Sequence, residues 1–572
     1  MSKNKKSDLL DKRRSQLRRR PFLLALPAAG ALSFACSPAH AFQLYNGSQY
    51  GNNLEISLNI GVSYSGFYRV NDPSYVLAGP GNINGNDGDQ NLKHGIVGNV
   101  FEALPVLDIK DGTAGAHFSG EYFINTTYLG TNQNESAGTL NSVVPKPDDY
   151  ASETRQANGN NGRMLDAFVY DTFTFAGDQV LTLKAGQQTL FWGQSLYFGV
   201  NGISGGQAPI DVVAADDLVN PESQQIFLPV GQIVATYQPD QAFTFQGYYQ
   251  YQWEPYSLQG VGSYFSTSDV TGPGAQRIIG QAGSTATDGF YFYKTKAITP
   301  PSQNGQFGAS VQAQFGNYDL GLFALRFDSK TPTAYETVNA PESNHTNVTL
   351  VPTASGTFIG TYRLVYPRDI QLYGASVSTT IGATNVAAEL SGRRNMDLVG
   401  AAAPTYIGGN QGGANSDALY PVGNTMTFLT SAIYGSPALK YDPGGVTITA
   451  ENEFVDVLDV TANKAQLAPG RSKAAAEFDV GITPAYFNVW PNVELSFPVS
   501  LMYDWAGNSQ VDLTMNHGTG SVTAGVTATY KQNWIASLNY VDYLGRPGTV
   551  DTPNSNTNAD RGYITLNLQH TF

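Results

Sequence analysis

The closing stretch Gly562-Tyr563-Ile564-Thr565-Leu566-Asn567-Leu568-Gln569-His570-Thr571-Phe572 decides the fold. Read in steps of two, Ile564, Leu566, Leu568 and Phe572 fall on one face, with His570 the exception. Tyr563, Thr565, Asn567, Gln569 and Thr571 fall on the other. Side chains alternate along a strand, so this strand has one greasy face and one wet face. The edge of a soluble sandwich shows the same alternation, and the rest of the chain must separate it from a membrane barrel.

Only 14% of the 572 residues are charged, whereas soluble proteins carry roughly 25%. Aromatics reach 12%, with 33 Tyr and 29 Phe. Mean hydropathy is nevertheless slightly negative. A protein with one surface for lipid and another for water fits these values. Beyond the leader no stretch reaches the roughly 18–20 apolar residues of a spanning helix. A membrane location therefore requires strands, because only helices and closed barrels satisfy every backbone group in lipid.

Residues 1–41 read as a secretory signal. Lys5, Lys6, Arg13, Arg14 and Arg18 to Arg20 form a basic region, followed by Pro21-Phe22-Leu23-Leu24-Ala25-Leu26. Ala39-His40-Ala41 is an A-x-A site, with cleavage after Ala41 and a mature chain of 42–572. Arg19-Arg20-Pro21-Phe22-Leu23 also looks like a twin-arginine signal, but a barrel precursor crosses the inner membrane unfolded. The single cysteine, Cys36, falls in the leader, so the mature chain has no internal disulfide and no cysteine metal site. The other histidines are scattered without ligand spacing, and neither a metal nor a cofactor is expected. The leader carries +7 against −14 overall, which leaves −21 on the mature chain and argues against nucleic acid as a partner.

The mature chain alternates strand signals with Gly/Asn/Asp/Pro turns. Leu54, Ile56, Leu58, Ile60, Val62 and Tyr64 interleave with Glu55, Ser57, Asn59 and Ser63. Phe243, Phe245, Tyr249, Tyr251 and Trp253 interleave with Thr244, Gln246, Gln250 and Gln252. Val446, Ile448 and Ala450 interleave with Thr447, Thr449 and Glu451, and a further run spans 492–503. Pro498 interrupts that last run and belongs at a bulge or strand end. The fold class is all-β: one transmembrane antiparallel barrel of about 16–18 strands, since bacterial barrels favour even numbers. Gly316-Asn317 and Ala383-Thr384-Asn385 read as short turns. The stretches 71–93, 130–162, 265–303, 329–355 and 400–421 read as long solvated loops.

Residues 190–229 break the rhythm. An irregular connection of this length tends to be functional; inside a large barrel its natural place is the lumen, as a plug or constriction, and a long external loop is the alternative. Lumen candidates are Asp166, Gln187, Gln188, Trp192, Gln194, Asn201 and Asp211, with Glu389, Arg393 and Arg394 from a later strand and its turn. An enzyme needs a nucleophile with a base in reach, and no Gly-x-Ser-x-Gly stands near a suitable histidine. The expectation is a non-enzymatic channel or transporter for small solutes. A structural or adhesive barrel acting through its loops is the alternative.

Several blocks carry a resemblance. Leu165-Asp166-Ala167-Phe168-Val169, Gly186-Gln187-Gln188-Thr189-Leu190-Phe191-Trp192-Gly193-Gln194-Ser195, Asn201-Gly202-Ile203 and Pro209-Ile210-Asp211 occur in order. Gly247 to Trp253, Gly262-Ser263-Tyr264-Phe265-Ser266-Thr267-Ser268-Asp269 and Tyr366-Pro367 follow. The series resembles the proteobacterial family called domain of unknown function 1302, over essentially the whole mature chain. The resemblance implies a β-barrel in the Gram-negative outer membrane, in contact with its lipid. It implies partnership with an inner-membrane exporter and a periplasmic carrier, and hydrophobic or lipid-like cargo. The chain departs from the family at Gln187, where members usually carry Arg, and at Gln194, where they often carry Glu. The terminal Phe572 resembles the end of outer-membrane barrels that the barrel assembly machinery reads as its signal.

Overall fold

The computed structural model describes residues 42–281, 289–295, 303–338, 357–401, 417–438 and 444–572. The leader, His345 and parts of three expected loops, 265–303, 329–355 and 400–421, lie outside the described residues.

Eighteen antiparallel strands form one closed ring, each paired with the next along the chain. The first, Leu54–Arg69, pairs with the last, Tyr563–Thr571, from Gly61 opposite Thr571 to Arg69 opposite Tyr563. The segment Phe42–Asn46 adds to the free half of the first strand, outside the ring. Val493–Ser496 and Val499–Ala506 are two halves of one barrel strand. Ser496 faces Thr527 and Val499 faces Ala524, so the register runs straight through Phe497-Pro498. Proline costs this strand one ladder donor and nothing more.

The alternation of the terminal strand reports its faces. Ile564, Leu566 and Leu568 are 40, 54 and 46% exposed, while Thr565 and Asn567 are buried inside. The same parity places Phe245 and Tyr249 outside and Gln246, Tyr248 and Gln250 inside. An apolar exterior around a closed ladder is the form a strand protein takes in hydrocarbon. One expectation needs correction here. The strand ends at Gln250, and Trp253 is buried in the loop beyond it, against Tyr366. It is loop core, not the end of the alternating strand.

One end of the barrel carries tight turns. Gly112-Thr113, Gly316-Asn317 and Gly382-Ala383 each link paired strands, and each opens on glycine with φ of 60–63°. Glycine reaches this left-handed region without steric cost. The turn expected at Ala383-Thr384-Asn385 starts one residue earlier, and Thr384 and Asn385 already belong to a strand.

The other end is built from long connections, and these are packed rather than merely solvated. Two of them contribute a four-stranded sheet in the order Thr333–Val338, Thr357–Val365, Phe290–Lys294, Arg277–Gln281. Its Tyr291 is fully buried, with the Arg277 guanidinium 4.1 Å above the ring. At the seam between first and last strands, Asp89 of one loop takes Arg69 on Oδ1 at 2.9 Å and Arg561 on Oδ2 at 3.1 Å. Arg69 also donates to the Asp560 carbonyl at 3.0 Å. Tyr264 and Phe265 pack nearby with Phe67 and Tyr563. Polar loop composition hides such a core because its charges are paired and its few aromatics are widely spaced in sequence.

Candidate functional site

Gln188 and Val230 are cross-strand partners, so residues 189–229 leave and rejoin the barrel at one point. Between them the chain runs inside the ring. It hydrogen-bonds to inward residues of strands on several sides of the wall, through Glu102, Arg163, Gln246, Glu389, Arg393 and Glu451.

Two carboxylates hold its first part. Glu389, on the strand Thr384–Asp397, accepts the Gln194 N–H at 2.7 Å and the Ile203 N–H at 2.5 Å. Glu451, on Val446–Ala462, accepts the N–H groups of Leu196, Tyr197 and Phe198 at 2.9, 2.6 and 2.9 Å, and the Ser195 hydroxyl at 3.3 Å. A carboxylate suits successive backbone N–H groups because it offers only acceptors and these bonds are charge-assisted. Gly193 has φ of 97°, and a Cβ there would collide with the Glu389 carboxylate. The Trp-Gly-Gln block thus has a physical reason: glycine lets the backbone bend onto Glu389.

Arg393 secures the same bend from the other side, donating to the Val200 and Gly202 carbonyls at 2.7 and 2.8 Å. Trp192 fills a pocket of inward apolar residues, its ring 5.2 Å from Tyr248 and 5.7 Å from Phe323. Asn201 donates to Glu453 at 3.3 Å and to Asp512 at 3.0 Å. The later part is helical. Asp211 caps the helix Val212–Asp217 through Ala214 N–H at 2.9 Å and meets Arg163, which also binds Glu121 at 2.8 Å. A second short helix, Ser223–Ile226, bears Gln225 against Glu102.

The remaining sequence candidates divide. Asp166 is buried inside, its N–H bonded to Ser119 Oγ at 2.9 Å. Gln188 and Gln232 exchange side-chain bonds with each other's carbonyls at 3.2 and 2.8 Å, just where the segment leaves the wall. Gln194 takes part through its backbone N–H. Two candidates are corrected. Gln187 lies on the outer face with Leu183, Ala185 and Ile233, and it donates to the Met164 carbonyl. Arg394 is exposed outside, and it is in the strand, one step out of phase with inward Glu389 and Arg393. The strand period of two forbids both members of the Gln187-Gln188 and Arg393-Arg394 pairs from facing the lumen. Glu102, Glu121, Arg163, Glu451, Glu453 and Lys330 were missed as site residues. The available signal was an acid on the wet face of an alternating run, as Glu451 and Glu453 are.

Two cavities flank the segment. The upper one, about 880 Å³, lies under the long loops; Val200, Asn201 and Gly205 line it. The lower one, about 420 Å³, lies toward the tight turns, where Ser57, Asn59 and Asp108 face Val219, Glu222 and Gln225. Among the described residues no group of His, Cys, Asp and Glu has the arrangement of a metal site.

Asp216 and Asp217 are the last residues of the helix Val212–Asp217. Asp217 accepts Asn158 at 3.2 Å and Gln259 at 3.4 Å. Burial pushes both carboxyls up to about 7. Their ordinary value is about 4, so the docked helix favours the protonated forms. That stabilisation is complete below pH of about 4 and is lost as pH rises through about 7. Hydrogen exchange of amides 212–217, corrected for intrinsic rates, should quicken from pH 6 to pH 8. The double variant D216N/D217N should flatten this dependence, and an unchanged slope in that variant would refute the assignment.

A closed antiparallel barrel with an apolar exterior and a lumen crossed by its own chain defines the class as a porin-like membrane barrel. The chain belongs to the family described as protein of unknown function (DUF1302), whose model matches residues 22–572. No curated protein matches the sequence. Among solved structures, OccAB4 of Acinetobacter baumannii is similar at 8% identity with a TM-score of 0.41, over 90% of this chain and 98% of that one. OccD3 (OpdP) of Pseudomonas aeruginosa is similar at 12% and 0.37, over 90% of each chain. A BenF-like porin from Pseudomonas fluorescens is similar at 10% and 0.40, over 91% and 98%. With values this low, the architecture rests on this chain's own strand ladder.

Proposed function

We propose that this protein is an outer-membrane channel for small solutes, narrowed by residues 190–229. The carrying observation is that one internal segment lies between two cavities toward opposite ends of a membrane barrel. The segment is tied to the wall by hydrogen bonds to side chains, whereas the barrel is held by its backbone ladder. Side-chain ties can exchange for water or solute without loss of the ladder, which is what a passage with a removable constriction requires. The upper cavity has the size of a small-molecule site and mixes apolar residues such as Phe327, Ile370 and Leu398 with a few charges. That lining supports small amphipathic or apolar cargo. The basic stretch with its A-x-A site and the closed strand ladder support delivery to the outer membrane by the barrel assembly machinery. The same reading extends to a periplasmic carrier and an inner-membrane exporter as partners at the tight-turn end.

Proteoliposome swelling tests the channel. Vesicles bearing the mature protein should swell faster than protein-free vesicles in an isosmotic small solute such as glycerol, and no faster in raffinose. Equal swelling with and without protein for both solutes rejects the channel and favours a structural or adhesive barrel.

A further inference from the structure

The floor of the upper cavity holds two basic side chains, Lys330 and Arg393. Lys330 follows the strand Tyr318–Phe327 and is 4% exposed. Its Nζ lies 3.4 Å from the Gly206 carbonyl and 5.2 Å from the centroid of the Phe327 ring. Arg393 approaches the same ring, with Cζ 6.0 Å from its centroid. Two bonds from its Nη2 hold the internal segment, but its buried Nε has no acceptor. Both residues line the cavity. Among the described residues, no carboxylate comes within salt-bridge distance of either.

This is unexpected in a chain with 46 acidic and 32 basic residues, where a counter-ion is easy to supply. Acids are also near. Glu389 is committed to backbone N–H groups, Glu453 accepts Asn201, Asp328 accepts the Asp369 N–H at 2.8 Å, and Asp397 acts on Arg393 only from beyond salt-bridge distance. Asp512 is served by Asn201 and by Thr514. A buried ammonium without a partner is costly, and the usual remedy is pairing or loss of its proton. Burial holds the Lys330 amine down to about 7, with Arg393 pushing the same way and Asp328 opposing. An anion entering from the loop side would supply the missing charge.

Apolar surface surrounds the pair. Phe327, Ile370, Met396 and Leu398 border the same space, and Tyr256 and Val200 complete the wall near Arg393. We propose that this floor binds amphipathic organic anions, Lys330 and Arg393 holding the anionic head and the apolar wall receiving the body. The proposal deepens the channel reading by giving its cargo a chemical class. Asp397 and Asp551 also border the cavity, and Asp397 keeps one oxygen unpaired, so a cationic head is the competing occupant.

Three soluble probes of one shape separate these occupants: 3-phenylpropanoate, 3-phenylpropanamide and 3-phenylpropylamine. Binding to the full mature protein in lipid nanodiscs is measured by calorimetry. The carboxylate should bind roughly ten- to a hundredfold more tightly than the amide, the worth of one charge-assisted bond. Lys330→Met should lose that preference, and Lys330→Arg should keep it. Both leave the Arg393 bonds to the internal segment in place, and a heat-modifiable gel shift verifies the folded barrel. Equal binding of acid and amide, tighter binding of the amine, or an unaltered preference in Lys330→Met would each overturn the proposal. Acid-selective binding to a barrel that fails the swelling test would leave this site standing and sink the channel. Swelling without acid selectivity would do the reverse.

Discussion

Exchanging residues 189–229 for an Asn-Gly turn should open a large, steady ion current in a planar bilayer. The barrel permits this surgery because Gln188 and Val230 already face each other across the ladder. A two-residue type I′ turn joins such partners with the twist that antiparallel strands prefer. The change removes the backbone that Glu389 and Glu451 bind and the Asp211 carboxylate that Arg163 meets, and it leaves those side chains facing a wider lumen that water can fill. Conductance should rise on the order of tenfold or more, because a wetted lumen replaces a constriction. Heat-modifiable migration verifies that both proteins are closed barrels. Identical currents would mean that the segment does not limit passage.

Removing the carboxylate of Glu451 should free the first part of the segment while the ladder stays intact. Glu451→Ala leaves three N–H groups, one buried and two partly buried, without their acceptor. A hydrogen bond to a charged group contributes about 1.5–3 kcal/mol, and the three share one acceptor, so their losses do not add. A local loss of about 3–4 kcal/mol corresponds to roughly a hundred- to a thousandfold faster amide exchange over residues 196–198. Glu451→Gln keeps one acceptor oxygen and should fall between. Exchange in the strands Leu54–Arg69 and Tyr563–Thr571 should not change. Protection at 196–198 equal to that of the parent would show that the anchor lies elsewhere.

Much of the barrel was legible in the sequence because a strand in lipid is a strict pattern. One side faces hydrocarbon and the other water, so the alternation of 54–64 or 563–571 transfers directly to outside and inside. The same rule corrects the site. Gln187 and Arg394 fail on parity, which is readable once the phase of the strand is known. The loops were less legible for a different reason. The four-stranded sheet pairs residues from two separate connections, and no local period announces a partner about 70 residues away, as Phe290–Lys294 finds in Thr357–Val365. Lys330 is the extreme case: a lysine in a polar loop reads as solvated, and only the assembled cavity shows it buried.

The ion triad at the seam bears on the direction in which anything can leave the barrel. A sideways exit into lipid requires two neighbouring strands to part. Between the first and last strands, parting would break the pairing from Gly61 to Arg69 and also separate Arg69 and Arg561 from the Asp89 they share. That join is stapled across its rim, so the two chain ends form a rivet rather than a door. At Phe497-Pro498 the wall is one donor short, yet the Phe497 N–H still reaches the Pro484 carbonyl at 3.0 Å and the Pro498 carbonyl accepts the Gly525 N–H at 2.9 Å. A lateral exit at the seam cannot begin without first breaking the triad of Arg69, Asp89 and Arg561.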